Sequence, residues 1–253
     1  MQQDNPAKTN AVFPQHSLLK SIGLHVLPGA LVTLTFFALK PLFDSSSYPP
    51  LLAFLLAIML IDIPLLSGIM LFEGKKQNGR FSLSGVVLYR EKLTLRPFAI
   101  VFVGTFVLLF LLITLALPIN SFVTERLFSG LPDWWFLAEE SQYDDYAKNA
   151  LIIVFTFQLV LTGVALPWVE ELYFRGYLLP RISRYGMWAP LIGGLLFGLY
   201  HSWQLFDLTG VFLLGLGLGY VVWWKQDIRL SISLHVFANT FARLALLGTA
   251  FVS

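Results

Sequence analysis

Seven apolar stretches, each holding at most one Asp, Glu, Lys or Arg, dominate the 253-residue chain: about 21–39, 50–72, 97–118, 149–169, 187–206, 208–224 and 230–251. A bilayer core about 30 Å thick takes about 20 apolar residues per helix, so each stretch is long enough, or nearly so, to cross it. In hydrocarbon every backbone N–H and C=O must be satisfied within the segment, so spans of this length predict an all-α, polytopic transmembrane helix bundle. Composition agrees. Hydrophobic residues make up 57% and charged residues 13%, roughly half the charge of an ordinary soluble domain. Seventeen basic against fifteen acidic residues leave +2, without the concentrated basic face that a nucleic-acid partner needs. With no cysteine, a disulfide framework, a thiolate metal site and a cysteine nucleophile are all excluded.

The chain divides into a polar N-terminal segment (1–18), N-terminal membrane helices and loops (19–148), and a second group of helices (149–253). The first span follows a mostly polar stretch and runs into Lys40-Pro41 with no small-residue cleavage pattern, so it is expected to be a retained anchor. With the N-terminus inside, 13 of the 17 basic residues fall on inner segments, among them Lys75, Lys76, Arg80, Arg90, Lys92, Arg96, Arg181, Arg184, Lys225 and Arg229. The 119–148 connection carries Glu125, Asp133, Glu139, Glu140, Asp144 and Asp145 against Arg126 and Lys148. The positive-inside rule therefore predicts a cytoplasmic N-terminus. Membrane lipids are the surrounding partner, and chemistry must occur inside the bundle.

An ionisable group at bilayer depth costs at least about 2.5 kcal/mol and is by default a functional suspect. The set is Asp62, Glu170-Glu171 with Arg175, His201, His235 and Arg243, with the amide Asn239 beside them. His25 lies close to Lys20 and is expected near the interface. Pro167 frees a backbone carbonyl just before the two acids and predicts a kink there. Glu171 and Arg175 are i,i+4 with the acid first, the better orientation for a helical pair, which leaves Glu170 to face a cavity as a general base. The bland alternative is that both acids pair with Arg175 and Arg181 at a helix end. Gly186 lies midway between Glu170 and His201, so the two reach similar heights on antiparallel neighbours. Gly193, Gly194 and Gly198, facing Gly215, Gly217 and Gly219, permit close helix approach. His235 and Asn239 share one helix face. Arg243 is expected to neutralise an acid such as Asp62 or Asp207. One inconsistency shows in the spacing: His235 is about 9 Å from Arg229 along its helix, but Glu170 is about 21 Å from Arg184, so the 170–201 hairpin must project beyond the inner surface or tilt.

The ordered motifs Glu170-Glu171-x-x-x-Arg175, Phe197-x-x-x-His201 and His235-x-x-x-Asn239, with the Phe174-Arg175-Gly176-Tyr177 run and Pro180, resemble the CPBP family of CAAX proteases and bacteriocin-processing enzymes, which includes the type II CAAX prenyl endopeptidase. The resemblance covers about residues 160–245. It implies an intramembrane endopeptidase of a bacterial cell membrane, in a bundle usually of eight helices, which makes the expectation here seven to eight; the eighth would lie within 119–148 or 76–96. It also implies that Glu170 takes a proton from water, that His201 orients that water and returns a proton to the leaving amine, and that His235 and Asn239 donate to the oxyanion, with Glu171 and Arg175 in support. Other intramembrane protease signatures, His-Glu-x-x-His, Gly-x-Ser-Gly and Gly-x-Gly-Asp, are absent. No cofactor is expected, the alternative being zinc on Glu170, His201 and His235, so the enzyme is read as a glutamic protease or a metalloprotease. The expected partner is a peptide or protein substrate near the membrane or carrying a lipid. Competing classes are a non-catalytic bacteriocin-immunity or scaffolding protein, and a transporter with an ion relay through Asp62, Glu170, His201 and Arg243.

Overall fold

The computed structural model describes residues 14–44, 46–131 and 143–252. Seven helices account for nearly all of them: α1 (Leu18–Leu42), α2 (Leu51–Asn78), α3 (Leu95–Leu127), α4 (Lys148–Tyr185), α5 (Trp188–Tyr200), α6 (Leu208–Lys225) and α7 (Ile228–Val252). All but α5 are long and apolar enough to cross a membrane. The protein is an all-α integral membrane bundle.

The helix ends follow local chemistry. Ser17 caps α1, its hydroxyl accepting the Lys20 N–H at 3.2 Å. Gly79, at φ 71°, ends α2 in the left-handed conformation that glycine adopts without strain. Asp227 caps α7 by accepting the Arg229 N–H at 3.1 Å.

Three prolines leave a shared mark inside the bundle. Immediately before Pro64, Pro167 and Pro180, the N–H groups of Ile63, Leu166 and Leu179 reach back five residues, to the carbonyls of Ile58, Leu161 and Phe174. A proline ring clashes with the carbonyl four residues earlier, and one extra residue in the turn relieves the clash. The expected kink at Pro167 is therefore absorbed as a wide turn spanning Leu159–Ala165. Its freed carbonyls are taken by α7: Asn239 Nδ2 donates to Thr162 O and Thr240 Oγ1 to Gly163 O, each at 3.1 Å. This cross-helix repair docks α7 on α4.

One apolar core joins both halves of the chain. Val32, Phe36, Leu55 and Ile58 from the first half pack with Tyr173, Leu178, Phe197 and Tyr200 from the second. By contrast α3 exposes Ile100, Val103, Phe110 and Leu115 along its length, as a helix facing lipid does. The glycine-lined contact of α5 and α6 is close: a Cβ on Gly194 would stand 2.9 Å from the Leu216 backbone, and one on Gly215 2.8 Å from the Phe197 ring. Gly217 instead faces Leu109 of α3.

The expected 187–206 span needs correction. Its helix stops at Tyr200 and gives way to a turn and the short 3-10 helix Leu205–Asp207; thirteen residues extend only about 20 Å. Nor is there a helix at 79–94, which forms turns and an isolated antiparallel bridge between Arg90 and Asp227. Residues 132–142, within the other segment proposed for an eighth helix, lie outside the described residues. His25 is buried inside the bundle, its Nδ1 2.7 Å from Ser21 O and its ring against Phe174.

The basic segments gather at one end of the bundle. His16 N–H donates to Arg181 O, Leu88 N–H to Gly176 O, and Ile228 N–H to Tyr89 O. The spacing inconsistency resolves here. The residue of α4 level with the start of α7 is Gly176, beside Ile228, and not Arg184. Glu170 lies six residues from Gly176 and His235 seven from Ile228, about 9 and 10.5 Å along their helices. The two therefore share one height, and the hairpin beyond Gly176 extends past it.

Candidate active site

Glu170 occupies the middle of α4 between two wide turns and is buried, with 1% of its surface exposed. Its two oxygens face two imidazoles on different elements. His201 Nε2 stands 3.8 Å from Oε1, and His235 Nε2 stands 3.8 Å from Oε2.

Each ring is anchored through its other nitrogen. His201 sits where α5 ends. Its backbone N–H turns to Gly198 O, so Phe197 O loses its usual helical donor and accepts His201 Nδ1 at 2.9 Å instead. A carbonyl only accepts, so Nδ1 carries the hydrogen and Nε2 presents a lone pair toward Glu170. The ring lies among Phe197, Tyr200 and Trp203, with centroids 4.5–5.1 Å away. His235 Nδ1 lies 2.8 Å from Glu171 Oε1, which fixes the ring and points Nε2 at Glu170.

Glu171 and Arg175 pair as their spacing suggests, NH1 to Oε1 at 2.8 Å, both buried. Arg175 also donates to Gly215 O of α6 at 3.1 Å and lies 4.1 Å over the Phe197 ring. This one guanidinium thus ties together α4, the motif phenylalanine of α5 and the glycine face of α6. Arg181 pairs with neither acid. It donates to Val86 O and Tyr177 O, which removes the bland alternative for the Glu170-Glu171 pair.

Asn239 is placed differently from its neighbours. Its amide donates to Thr162 O across the α4–α7 contact. An amide carries two N–H hydrogens, and this bond engages one. Arg243 does not neutralise Asp62 or Asp207: among the described residues it makes no ion pair, and its Nε is buried without a partner.

Two residues join the cluster from outside the three motifs. Tyr200, one position before His201, places its hydroxyl 3.0 Å from Glu170 Oε1 and in hydrogen-bond contact with Asp62 Oδ2. Asp62 comes from the wide turn of α2 and is wholly buried. In the sequence Asp62 stands out by its charge alone; nothing in the spacing links it to Glu170, 108 positions further on. Tyr200 carries no charge and reads as one more membrane aromatic.

Residues 152–241 match the profile of a family described as type II CAAX prenyl endopeptidase Rce1-like. The match covers 90 of the 253 residues and supports a relationship to the CAAX proteases through this segment. All three motifs fall inside the matched segment, whereas Asp62 falls outside it. The matched description is that of an endopeptidase, which in general acts on a peptide or protein. No curated protein and no solved structure matches the chain.

Among the described residues no three His, Asp or Glu side chains are grouped to hold a metal ion; the His201 and His235 Nε2 atoms stand 3.8 Å from different oxygens of Glu170. What the arrangement offers is a carboxylate flanked by two oriented rings at separations too long for direct hydrogen bonds and suited to an intervening water.

Proposed function

We propose that the protein is an intramembrane endopeptidase that hydrolyses a peptide bond in a membrane-proximal or lipidated substrate, a prenylated CAAX C-terminus being the substrate its family description suggests. One observation carries the reading: the two Glu170 oxygens each face an imidazole Nε2 at 3.8 Å, and each ring is held by its other nitrogen.

Hydrolysis needs an activated water and a stabilised oxyanion. Glu170 takes one proton as the water oxygen adds to the scissile carbonyl carbon. His201 Nε2 orients the same water through its second hydrogen, takes that proton as the tetrahedral intermediate collapses to the carboxylate, and passes it to the leaving amine. His235, with a hydrogen on each ring nitrogen, donates from Nε2 to the oxyanion. Asn239 adds the amide hydrogen not spent on Thr162. A single such donor is worth about 3 kcal/mol of transition-state stabilisation. Glu171 and Arg175 hold His235 and α4 in place. The cycle requires no metal. The basic end of the bundle faces the cytoplasm, consistent with its share of Lys and Arg, and a bacterial plasma membrane is the proposed setting.

The test uses the full chain purified into liposomes with a panel of farnesylated CAAX peptides and unmodified membrane peptides. Glu170→Gln, His201→Ala and His235→Ala are each expected to abolish cleavage while extraction and thermal midpoint stay near wild type, and chelation is expected to leave the wild type active. Cleavage retained by Glu170→Gln would overturn the mechanism. A cellular phenotype that persists in Glu170→Ala would instead favour the non-catalytic immunity or scaffolding role.

A further inference from the structure

Tyr200 stands between two carboxyl groups, Asp62 Oδ2 on one side and Glu170 Oε1 on the other. A phenol has one hydrogen, and an ionised carboxylate only accepts. Tyr200 can donate to one neighbour, so the other contact is a hydrogen bond only if that neighbour carries a proton. Two arrangements satisfy the count: a protonated Asp62 donates to Tyr200, which donates to Glu170, or the chain runs in reverse.

The surroundings choose between them. Glu170 faces the His235 Nε2 at 3.8 Å and lies one residue from Glu171, which pairs with Arg175. Asp62 has no such company. Among the described residues it forms no ion pair with a cation, and its second oxygen, Oδ1, is buried without a hydrogen-bond partner. A carboxylate left with a bare buried oxygen is far costlier than a neutral acid in the same place. The negative charge therefore belongs on Glu170.

We propose that Asp62 and Tyr200 are positioning residues for the catalytic base: Asp62, held as the neutral acid, directs the Tyr200 hydroxyl so that it donates to Glu170 Oε1. The donor chain keeps Glu170 ionised and fixes its rotation, so that both oxygens stay opposite the two rings. It also gives α2, outside the matched family segment, a part in the chemistry. The inference rests on the endopeptidase reading above.

The experiment compares Asp62→Asn, Asp62→Leu and Tyr200→Phe with wild type and Glu170→Gln in liposomes, using whichever CAAX or membrane peptide the wild type cleaves. An asparagine amide replaces the acid O–H as donor without adding charge, so Asp62→Asn is expected to keep kcat within about 3-fold. Asp62→Leu and Tyr200→Phe lose the directed donor and are expected to lower kcat by about 100-fold, the scale of a misplaced catalytic group, with KM little changed. Infrared difference spectra of wild type against Asp62→Asn should show loss of a protonated-carboxyl carbonyl band, a readout that needs neither turnover nor the Tyr200 variant. Asp62→Asn as inactive as Glu170→Gln while folded, full activity in Tyr200→Phe, or absence of that band each overturns the proposal. If wild type fails to cleave, or Glu170→Gln cleaves, the endopeptidase reading itself falls; if only the Asp62 and Tyr200 results depart from expectation, this inference falls alone.

Discussion

Arg175 shows how much one side chain can hold inside a membrane bundle. It pairs with Glu171, donates to Gly215 O and stacks on Phe197, so its planar fork meets needs that one ammonium group cannot. Arg175→Lys keeps the charge and should still lose stability, by about 1–3 kcal/mol for the unpaired buried carbonyl, seen as a lower thermal midpoint in detergent; an unchanged midpoint would mean that charge alone matters there. His16 makes a different point at the basic end of the bundle. Burial, with Lys20 and Arg181 nearby, holds its imidazole down at about 4, against the usual 6.5, and it packs on Tyr177 at 5.8 Å. The unfolded chain binds the proton more readily, so the docked segment is fully stable above about pH 6.5 and loses stability as pH falls toward 4. Protection factors for hydrogen exchange at residues 16–21, corrected for the intrinsic pH dependence of exchange, should fall as pH drops from about 7 to 5, and His16→Phe should flatten that dependence.

Among the elements, α1 carries no motif residue, yet it abuts the site. A Cβ on Gly29 would collide with Tyr200 O, and Thr33 Oγ1 meets Ser202 Oγ at 2.8 Å, so α1 packs against the point where α5 ends and His201 begins. Gly29→Ala must push that backbone and is expected to cut kcat at least about 10-fold, since small misplacements of catalytic groups are costly. Gly23, on the same helix, has open space where an alanine methyl would stand, with nothing within 4 Å. It is the control: Gly23→Ala should leave activity unchanged. Equal activity in both variants would deny α1 any part in placing His201. None of this was legible in the sequence, where both glycines lie in one apolar run. Six of the seven spans were legible, because hydrophobic length is a local property; 187–206 was apolar enough, but its helix stops at Tyr200. So were Glu171–Arg175 and the meeting of Glu170 with His201, because helical pitch and the Gly186 turn determine them. The wide turns were half legible: a proline inside a span announces a disturbed ladder, but not whether a kink or an extra residue absorbs it. Pro28 and Pro118 lie within α1 and α3 with no such turn.

At the scale of the whole molecule, the depth of the site depends on where α7 begins, and the sequence hid that because the anchor lies 134 positions away. Leu93 N–H donates to Asp227 Oδ2 at 2.9 Å, and Arg229, also bonded to Asp227, donates back to Leu93 O at 2.9 Å. The basic 79–94 segment is thereby tied to the first turn of α7, two turns from His235, and Leu88 joins the same segment to Gly176. Burial alone would push the Asp227 carboxyl up, but its bonds to Arg229 and to the Leu93 and Arg229 amides outweigh burial and hold it below the usual carboxylate range. This stabilisation is present above that range and is lost as pH falls through the lowered value. Asp227→Ala removes the cap and both partners' acceptor, so a loss of about 1–3 kcal/mol is expected, with Asp227→Asn losing less because it can still cap. The loss should appear as a lower thermal midpoint together with faster protease cleavage between residues 79 and 94. If Asp227→Ala keeps the segment protected, the height of His235 is set by the α4–α7 contact at Thr162 and Gly163 alone, and the loop is a passenger.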